Sequence, residues 1–333
     1  MKSIITGGAG FIGSHLCERL VDAGHEVIIL DNFSLGKKSN LKKVKDKITI
    51  VKKDIRNLNS IDYLFKKVQN VFHLAALADI VPSIENPGDY FSTNVTGTYN
   101  VLKASINNKV KRFIYSASSS CYGIPKKFPT KETSEILPQY PYALTKRLGE
   151  ELVIHFANIY NLNATSLRLF NVYGPRARTS GNYGAVFGVF LAQKIAKKPF
   201  TIVGDGKQTR DFTFVSDIID AMINVSKKKN LSRNIFNVGS GRTISVNKIA
   251  KLLGGDKKRI PKRPGEPDIT FADISKITRK TGWKPKISIE DGIKLMLNNL
   301  SDWKDAPVWT PKKINKETKK WFFYLGKKNN LNS

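Results

Sequence analysis

Tyr142 and Lys146 stand four residues apart in the run Tyr142-Ala143-Leu144-Thr145-Lys146, and on a helix that spacing puts both side chains on one face. A free tyrosine titrates near pH 10 and is rarely a base at neutral pH. An ammonium beside it lowers the phenol's pKa electrostatically, which makes proton removal from a hydroxyl available as chemistry. The upstream run Ser116-Ala117-Ser118-Ser119-Ser120-Cys121-Tyr122-Gly123 is the second candidate segment. Tyr-x-x-x-Lys arises by chance on many helices and serine runs are common in loops, so these residues count only through the company they keep.

That company begins at Thr6-Gly7-Gly8-Ala9-Gly10-Phe11-Ile12-Gly13. A glycine at a tight turn, one where a pyrophosphate approaches the backbone and one where helix meets strand are what a dinucleotide requires. A glycine pattern alone says little. Here it follows a predicted strand and opens a predicted helix, and Asp31, followed by Asn32, ends the second strand near the expected spacing. A carboxylate there hydrogen-bonds ribose hydroxyls and repels a 2′-phosphate, so NAD is expected rather than NADP.

The elements that would position these residues alternate. Strands are predicted at 3–6, 27–30, 48–51, 71–74, 113–116 and 165–169, with helices at 11–23, 60–67, 90–105 and 142–158. Such alternation predicts an α/β fold, a Rossmann-type doubly wound parallel sheet covered on both faces. The expected division is an NAD-binding domain over 1–170, with parts of about 200–245 returning to it. A smaller, mostly α substrate-binding region takes about 171–199 and 246–325, and a polar tail 326–333. Within the later part, helices are expected at 186–196, 216–226 and 312–324 and strands at 201–203 and 235–238.

With 333 residues, 41% of them hydrophobic, the chain can bury a sizeable core. No apolar run reaches the length of a membrane span and no signal peptide precedes the first strand, so a cytoplasmic location and no membrane partner are expected. Cys17 and Cys121 are too few for a disulfide framework and belong to no metal-ligand cluster, so no metal is expected. The formal charge of +29 would by itself favour a polyanionic partner. Its lysines are spread in pairs and triplets, such as Lys52-Lys53 and Lys227 to Lys229, without the geometry of a nucleic-acid motif. No nucleic-acid partner is expected. A field of this sign draws anionic substrates toward a cleft.

The Gly7, Gly10, Gly13 spacing resembles the variant used by the extended short-chain dehydrogenase/reductase family. Asp54-Ile55 resembles that family's adenine-contacting pair, His73-Leu74-Ala75-Ala76 its stretch beside the cofactor, and Asn94 its sheet-steadying helix asparagine; the resemblance runs through about Asp273. It implies that Ser118 hydrogen-bonds the reacting hydroxyl, that Tyr142 is the base and that Lys146 also holds the nicotinamide ribose. Sugar dehydratases of the family carry an Asp-Glu pair after the serine position and decarboxylases a glutamate, whereas this chain has Ser119 and Ser120. The chain therefore most resembles nucleotide-sugar 4-epimerases of the UDP-glucose/UDP-hexose type, working through a transient 4-keto sugar.

The same resemblance implies nucleotide-sugar contacts in the segments 168–176, 204–212 and 263–266, where Arg210 and Arg263 would meet the diphosphate and Asn171 the nucleotide-sugar. Ser83 and Thr270 are further substrate candidates, Thr270 as a small residue that leaves room for an N-acetyl group. Two departures stand out: Ala78 replaces a cofactor-phosphate lysine, and Gly184-Ala185-Val186-Phe187 lacks an asparagine that relatives place near the diphosphate. Other chemistries of the scaffold remain open: uronate 4-epimerisation, C2 epimerisation, 4-keto reduction or dehydration. A non-catalytic NAD- or RNA-binding protein would instead show a broken catalytic set. The resemblance also implies a homodimer and a role in carbohydrate metabolism, such as polysaccharide biosynthesis.

Overall fold

The computed structural model describes residues 1–177 and 185–326; Gly184 and residues 327–333 of the polar tail lie outside it. Seven short runs, each carrying at least two of Ile, Val, Leu and Phe, form one parallel sheet: β1 (Lys2–Thr6), β2 (Glu26–Asp31), β3 (Ile48–Lys52), β4 (Asn70–His73), β5 (Arg112–Ser118), β6 (Ala164–Leu169) and β7 (Ile235–Val238). The spatial order is β7-β6-β5-β4-β1-β2-β3. The chain reverses its direction of travel between β1 and β4, and beside that switch point the carboxyl ends of the strands leave a crevice. Ile4 pairs with Ile28 on one side and Val71 on the other, which fixes the register at the sheet's centre.

Successive strand residues point to opposite faces, and the core divides accordingly. Ile5, Ile29, Phe72 and Ile114 enter one cluster; Ile4, Ile28, Val71 and Phe113 enter the other. Each fully buried side chain of this size stabilises the fold by about 1.5–3 kcal/mol relative to exposure. The first cluster packs α1 (Phe11–Asp22) and α8 (Val215–Lys227) on the sheet and continues into the C-terminal part of the chain. The second holds α5 (Gly97–Asn107) and α6 (Pro141–Ile159), the latter opened by Pro141 in its first turn.

Several elements differ from the sequence expectation. The helix expected at 60–67 shrinks to α2 (Leu58–Ile61), capped by the Asn57 side chain on Ser60 N, and one 3₁₀ turn, because Lys67 takes a φ of 61° and turns the chain into β4. The helix expected at 90–105 is built from α4 (Pro87–Phe91), a π turn at Ser92–Thr96 and α5, and a separate α3 (Ile80–Glu85) precedes it. Strand 200–203 pairs with 257–260 outside the main sheet.

Beyond α7 (Val186–Ile195) and α8, the C-terminal part adds α9 (Val246–Leu253), α10 (Ser275–Thr281) and α11 (Ile289–Asn298). Hydroxyl caps start two of these: Ser245 accepts from Lys248 N, and Ser288 from Asp291 N. The terminal helix breaks at Thr318 into α12 (Pro311–Glu317) and α13 (Lys319–Gly326).

Candidate active site

The turn after β1 runs beside the end of β4. Gly7 has a φ of +68°, and a Cβ added there would stand 2.8 Å from Ala75 Cα. A Cβ on Gly10 would meet the Gly7 carbonyl oxygen at 3.1 Å, and one on Gly13 would sit 2.7 Å from Gly8 Cα. These glycines leave the backbone bare at the N-terminus of α1, where unpaired N–H groups and the helix dipole favour an anion. The adjoining cleft encloses about 760 Å³ and is lined by Gly7, Gly10, Phe11, Ile12, Gly13, Asp31, Asn32, Asp54, Ile55, Leu74, Ala75 and Ala76. All these sequence-predicted positions therefore share one space, which suits a dinucleotide.

At the adenosine end, Asp31 accepts from Ala9 N at 3.0 Å and Phe33 N at 2.8 Å. A carboxylate has about four acceptor positions, so capacity remains for ribose hydroxyls. Burial raises the Asp31 pKa, and the two backbone bonds pull it back. Asn32 donates to Asp54 at 3.0 Å. Asp54 also receives the Arg56 guanidinium, whose hydrogen bonds are the main cause of its fall to about 2.

The wall of the cleft is held by a chain of hydroxyls that the sequence did not reveal. Thr98 donates its only hydroxyl proton to Asn94 O at 2.6 Å, so toward His73 Nε2, 2.9 Å away, it must accept. His73 then carries its proton on Nε2, and Nδ1 accepts from Thr6 Oγ1 at 2.6 Å. Thr6 in turn accepts from Leu74 N and Ala75 N, each at 3.2 Å. His73 is fully buried and burial drives its pKa to about 3, which keeps the ring neutral in this relay.

Asn94 sits in the π turn, a widening of the helix that often accompanies functional sites. Its side chain accepts from Leu77 N at 2.8 Å and donates to Leu77 O and to Thr145 Oγ1, both at 3.0 Å. It thereby ties the loop after β4 to the helix that carries Tyr142 and Lys146. Gly149 permits that approach, since a side chain there would collide with the Tyr115 hydroxyl and stand 3.1 Å from Asn94 O.

The cleft lining reaches Ser116 on β5, and Ser118 lies two residues further along the same face. Ser118 Oγ is 2.8 Å from Ser120 Oγ, accepts from Ser120 N, and is hydrogen-bonded to the Tyr142 hydroxyl. Ser118 and Tyr142 thus lie together at the end of β5, one residue pair beyond the cleft lining, and Lys146 packs on Tyr115 of the same strand. Tyr140 stacks on Tyr142, with Tyr90 edge-on, both at 6.4 Å.

Burial raises the Tyr142 pKa and the Ser118 bond lowers it. Burial brings Lys146 down to about 7, with Glu150 opposing, and its Nζ stands 4.3 Å from the Tyr115 ring centroid.

Four of the nucleotide-sugar candidates gather near a second pocket of about 150 Å³ that includes Arg210, Arg263 and Glu266. Thr270 Oγ1 donates to Asn171 Oδ1 at 2.8 Å and accepts from Asp211 N at 3.1 Å. Glu266 lies between the two arginines, 2.9 Å from Arg263 Nη1 and 3.8 Å from Arg210 Nη2. Ser83 is fully buried, with its hydroxyl donated to Ile80 O at 2.6 Å.

Arg168, at the head of an expected substrate segment, is 1% exposed and paired with Glu150 at 2.7 Å; it is a structural residue. Among the described residues no cluster of three or more His, Cys, Asp or Glu could hold a metal, and no helix is long and apolar enough to cross a membrane.

A glycine cradle at the switch point of a parallel sheet, with a serine beside a tyrosine at the next strand end and a lysine on the tyrosine's helix, defines a dinucleotide-dependent enzyme that acts on an alcohol. Residues 4–296 match the family described as GDP-mannose 4,6 dehydratase, and the chain belongs to that family, within the nucleotide-sugar epimerases and dehydratases. A UDP-glucose 4-epimerase of Mycolicibacterium smegmatis is 33% identical over 303 residues, covering 88% of this chain and 96% of the relative. The structure of a UDP-glucose 4-epimerase from Thermotoga maritima with UDP-glucose superposes with a TM-score of 0.85 at 35% identity, over 90% of this chain and 99% of the other. That of a Bacillus cereus UDP-glucuronic acid 4-epimerase with UDP-glucuronic acid and NAD gives 0.84 at 31%, over 90% and 99%.

Proposed function

We propose that this chain is an NAD-dependent enzyme that inverts C4 of a nucleotide-activated sugar, with UDP-glucose/UDP-galactose or their N-acetyl forms as substrate. The observation that carries this reading is Ser118 beside Tyr142 at the end of β5, with Lys146 on the helix that Asn94 ties to the loop after β4, followed by a turn, Ser119–Tyr122, that offers hydroxyls but no carboxylate. Elimination of water or loss of a carboxyl group would need an acid or base at that turn. Reversible oxidation needs only the tyrosine.

Bound NAD supplies the acceptor and donor of hydride at the sugar carbon. Tyr142 takes the proton of the C4 hydroxyl and later returns it, and Ser118 holds the same oxygen. Lys146 binds the nicotinamide ribose. Arg210 and Arg263 face the diphosphate as planar forks, while Asn171 and Thr270 border the sugar-nucleotide. The 4-keto sugar turns over between the two half-reactions.

A second copy of the chain is the proposed partner. The exposed apolar side chains Tyr99 on α5 and Leu144 and Ile159 on α6 support a homodimer through these helices. The enzyme would work in the cytoplasm, supplying sugar donors for polysaccharide assembly.

The test is incubation with UDP-glucose, UDP-GlcNAc and UDP-glucuronate, with and without added NAD, followed by proton NMR. One sugar should convert to its C4 epimer, and Tyr142→Phe should abolish conversion. If none of the three reacts with NAD present, the UDP-hexose reading fails.

A further inference from the structure

The family match ends at residue 296, yet the chain continues into α12 and α13, and α13 returns to the substrate side of the molecule. Trp321 is 2% exposed, and its indole Nε1 donates to Pro264 O at 2.8 Å. The Arg263 guanidinium lies over the same ring, 5.4 Å from the centroid. One turn further on, Leu325 faces Gly265, so close that a Cβ there would sit 3.4 Å from Leu325 Cδ1 and 3.9 Å from Gln139 Cβ. Gln139 precedes Tyr140 and the catalytic Tyr142. On its other side α13 packs against α3, where Lys320 Nζ stands 3.5 Å from Glu85 Oε1.

We infer that α13 is a strap joining the α3 wall to the 263–266 loop, and that Trp321 is a positioning residue holding Arg263 ready for the substrate diphosphate. This rests on the nucleotide-sugar reading given above. An arginine on a loop must otherwise lose its freedom when the ligand arrives, and ordering it beforehand strengthens binding without any new contact to ligand. The indole supplies both restraints at once: a hydrogen bond to the backbone next to Arg263 and a flat ring beneath the guanidinium. The loop has other ties as well: Glu266 pairs with Arg263 and Arg210, Lys262 pairs with Asp268 on the surface, and Thr209 N donates to Asp268 O. The contacts of Trp321 and Leu325 fall on the 263–266 loop, so the strap acts on substrate affinity and leaves the chemical step alone.

The experiment compares the full-length wild type with Trp321→Ala and with Trp321→Phe, which keeps a ring but loses the N–H. Amide hydrogen exchange over 262–268 reports the loop. Calorimetric titration with UDP, dTDP, GDP and CDP reports the diphosphate site, and titration with NAD reports the cofactor site. In Trp321→Ala the loop should exchange about tenfold faster, and the best-bound nucleoside diphosphate and the sugar-nucleotide KM should weaken about tenfold. Trp321→Phe should fall between, with kcat within about twofold of wild type and NAD affinity unchanged in both.

Unchanged loop exchange and affinity in Trp321→Ala would overturn the proposal, as would parallel loss of NAD binding, which marks a general structural role. If Trp321→Ala does not fold, Trp321→Phe decides alone. A wild type that binds none of the four diphosphates contradicts the nucleotide-sugar reading, and the exchange measurement still decides whether the strap exists.

Discussion

Lys146 holds an ammonium at 4% exposure, where solvation is poor and burial outweighs the help of Glu150. Its pKa is depressed from the ordinary 10.5 to about 7. Between these values the unfolded chain binds a proton that the folded chain does not, so this group makes stability rise with pH across that window; below about 7 it penalises the fold most fully. Lys146→Met should therefore raise the melting temperature at pH 7, by roughly 2–4 °C for each kcal/mol relieved, while abolishing turnover. The gain should shrink by pH 9. Glu150 would not be stranded, because Arg168, Arg147 and Ser166 still bind it. Scanning calorimetry of both proteins at the two pH values checks this; a lower melting temperature for the variant at pH 7 would contradict it. That Tyr142 and Lys146 share one helix was legible, because their spacing fixes it. The tuning of Tyr142 was not, since burial and the Ser118 bond depend on which strands surround it.

At the scale of elements, α5 and α6 act as a single support. Asn94 makes three hydrogen bonds from the π turn, and Asn94→Ala leaves the Leu77 backbone groups without that partner. The expected loss is about 1–3 kcal/mol of stability and roughly tenfold or more in kcat, since displaced catalytic groups lose rate steeply. Urea unfolding and steady-state kinetics test both.

Behind α6, Glu150 receives three Arg168 hydrogen bonds and one from Ser166. Glu150→Ala strands a buried guanidinium and should cost about 3–5 kcal/mol in urea unfolding; a loss under about 1 kcal/mol would contradict the burial assigned here. The strands and the long helices could be read from apolar runs and period. The π turn could not, because it accompanies the bonds Asn94 makes to Leu77 and Thr145, partners far off in sequence. Neither could the break at Thr318, whose hydroxyl is spent on Ile314 O while the chain bends to bring Trp321 onto Pro264.

The whole molecule combines a cleft that suits a dinucleotide, a small pocket that includes two arginines and a formal charge of +29. Exposed lysines steer anions over a range set by the Debye length, about 10 Å at 0.1 M salt. The kcat/KM for a nucleotide-sugar should fall severalfold between 0.05 and 0.5 M salt while kcat stays nearly constant, because screening weakens encounter and leaves the buried chemical step untouched. Initial rates over a salt series check it. The sheet was legible as a whole because short β-rich runs alternate with amphipathic stretches, and its central strands are buried on both faces. The substrate side was less so, since short strands such as 200–203 and 257–260 pair across more than fifty residues.

The central claim is that one carbon is oxidised and reduced in place, and the most direct test uses a UDP-sugar deuterated at C4 in ordinary water. The expected result is the C4 epimer with deuterium still at C4, and no product from Tyr142→Phe. Loss of the label to solvent, or a product changed at any other carbon, would contradict it.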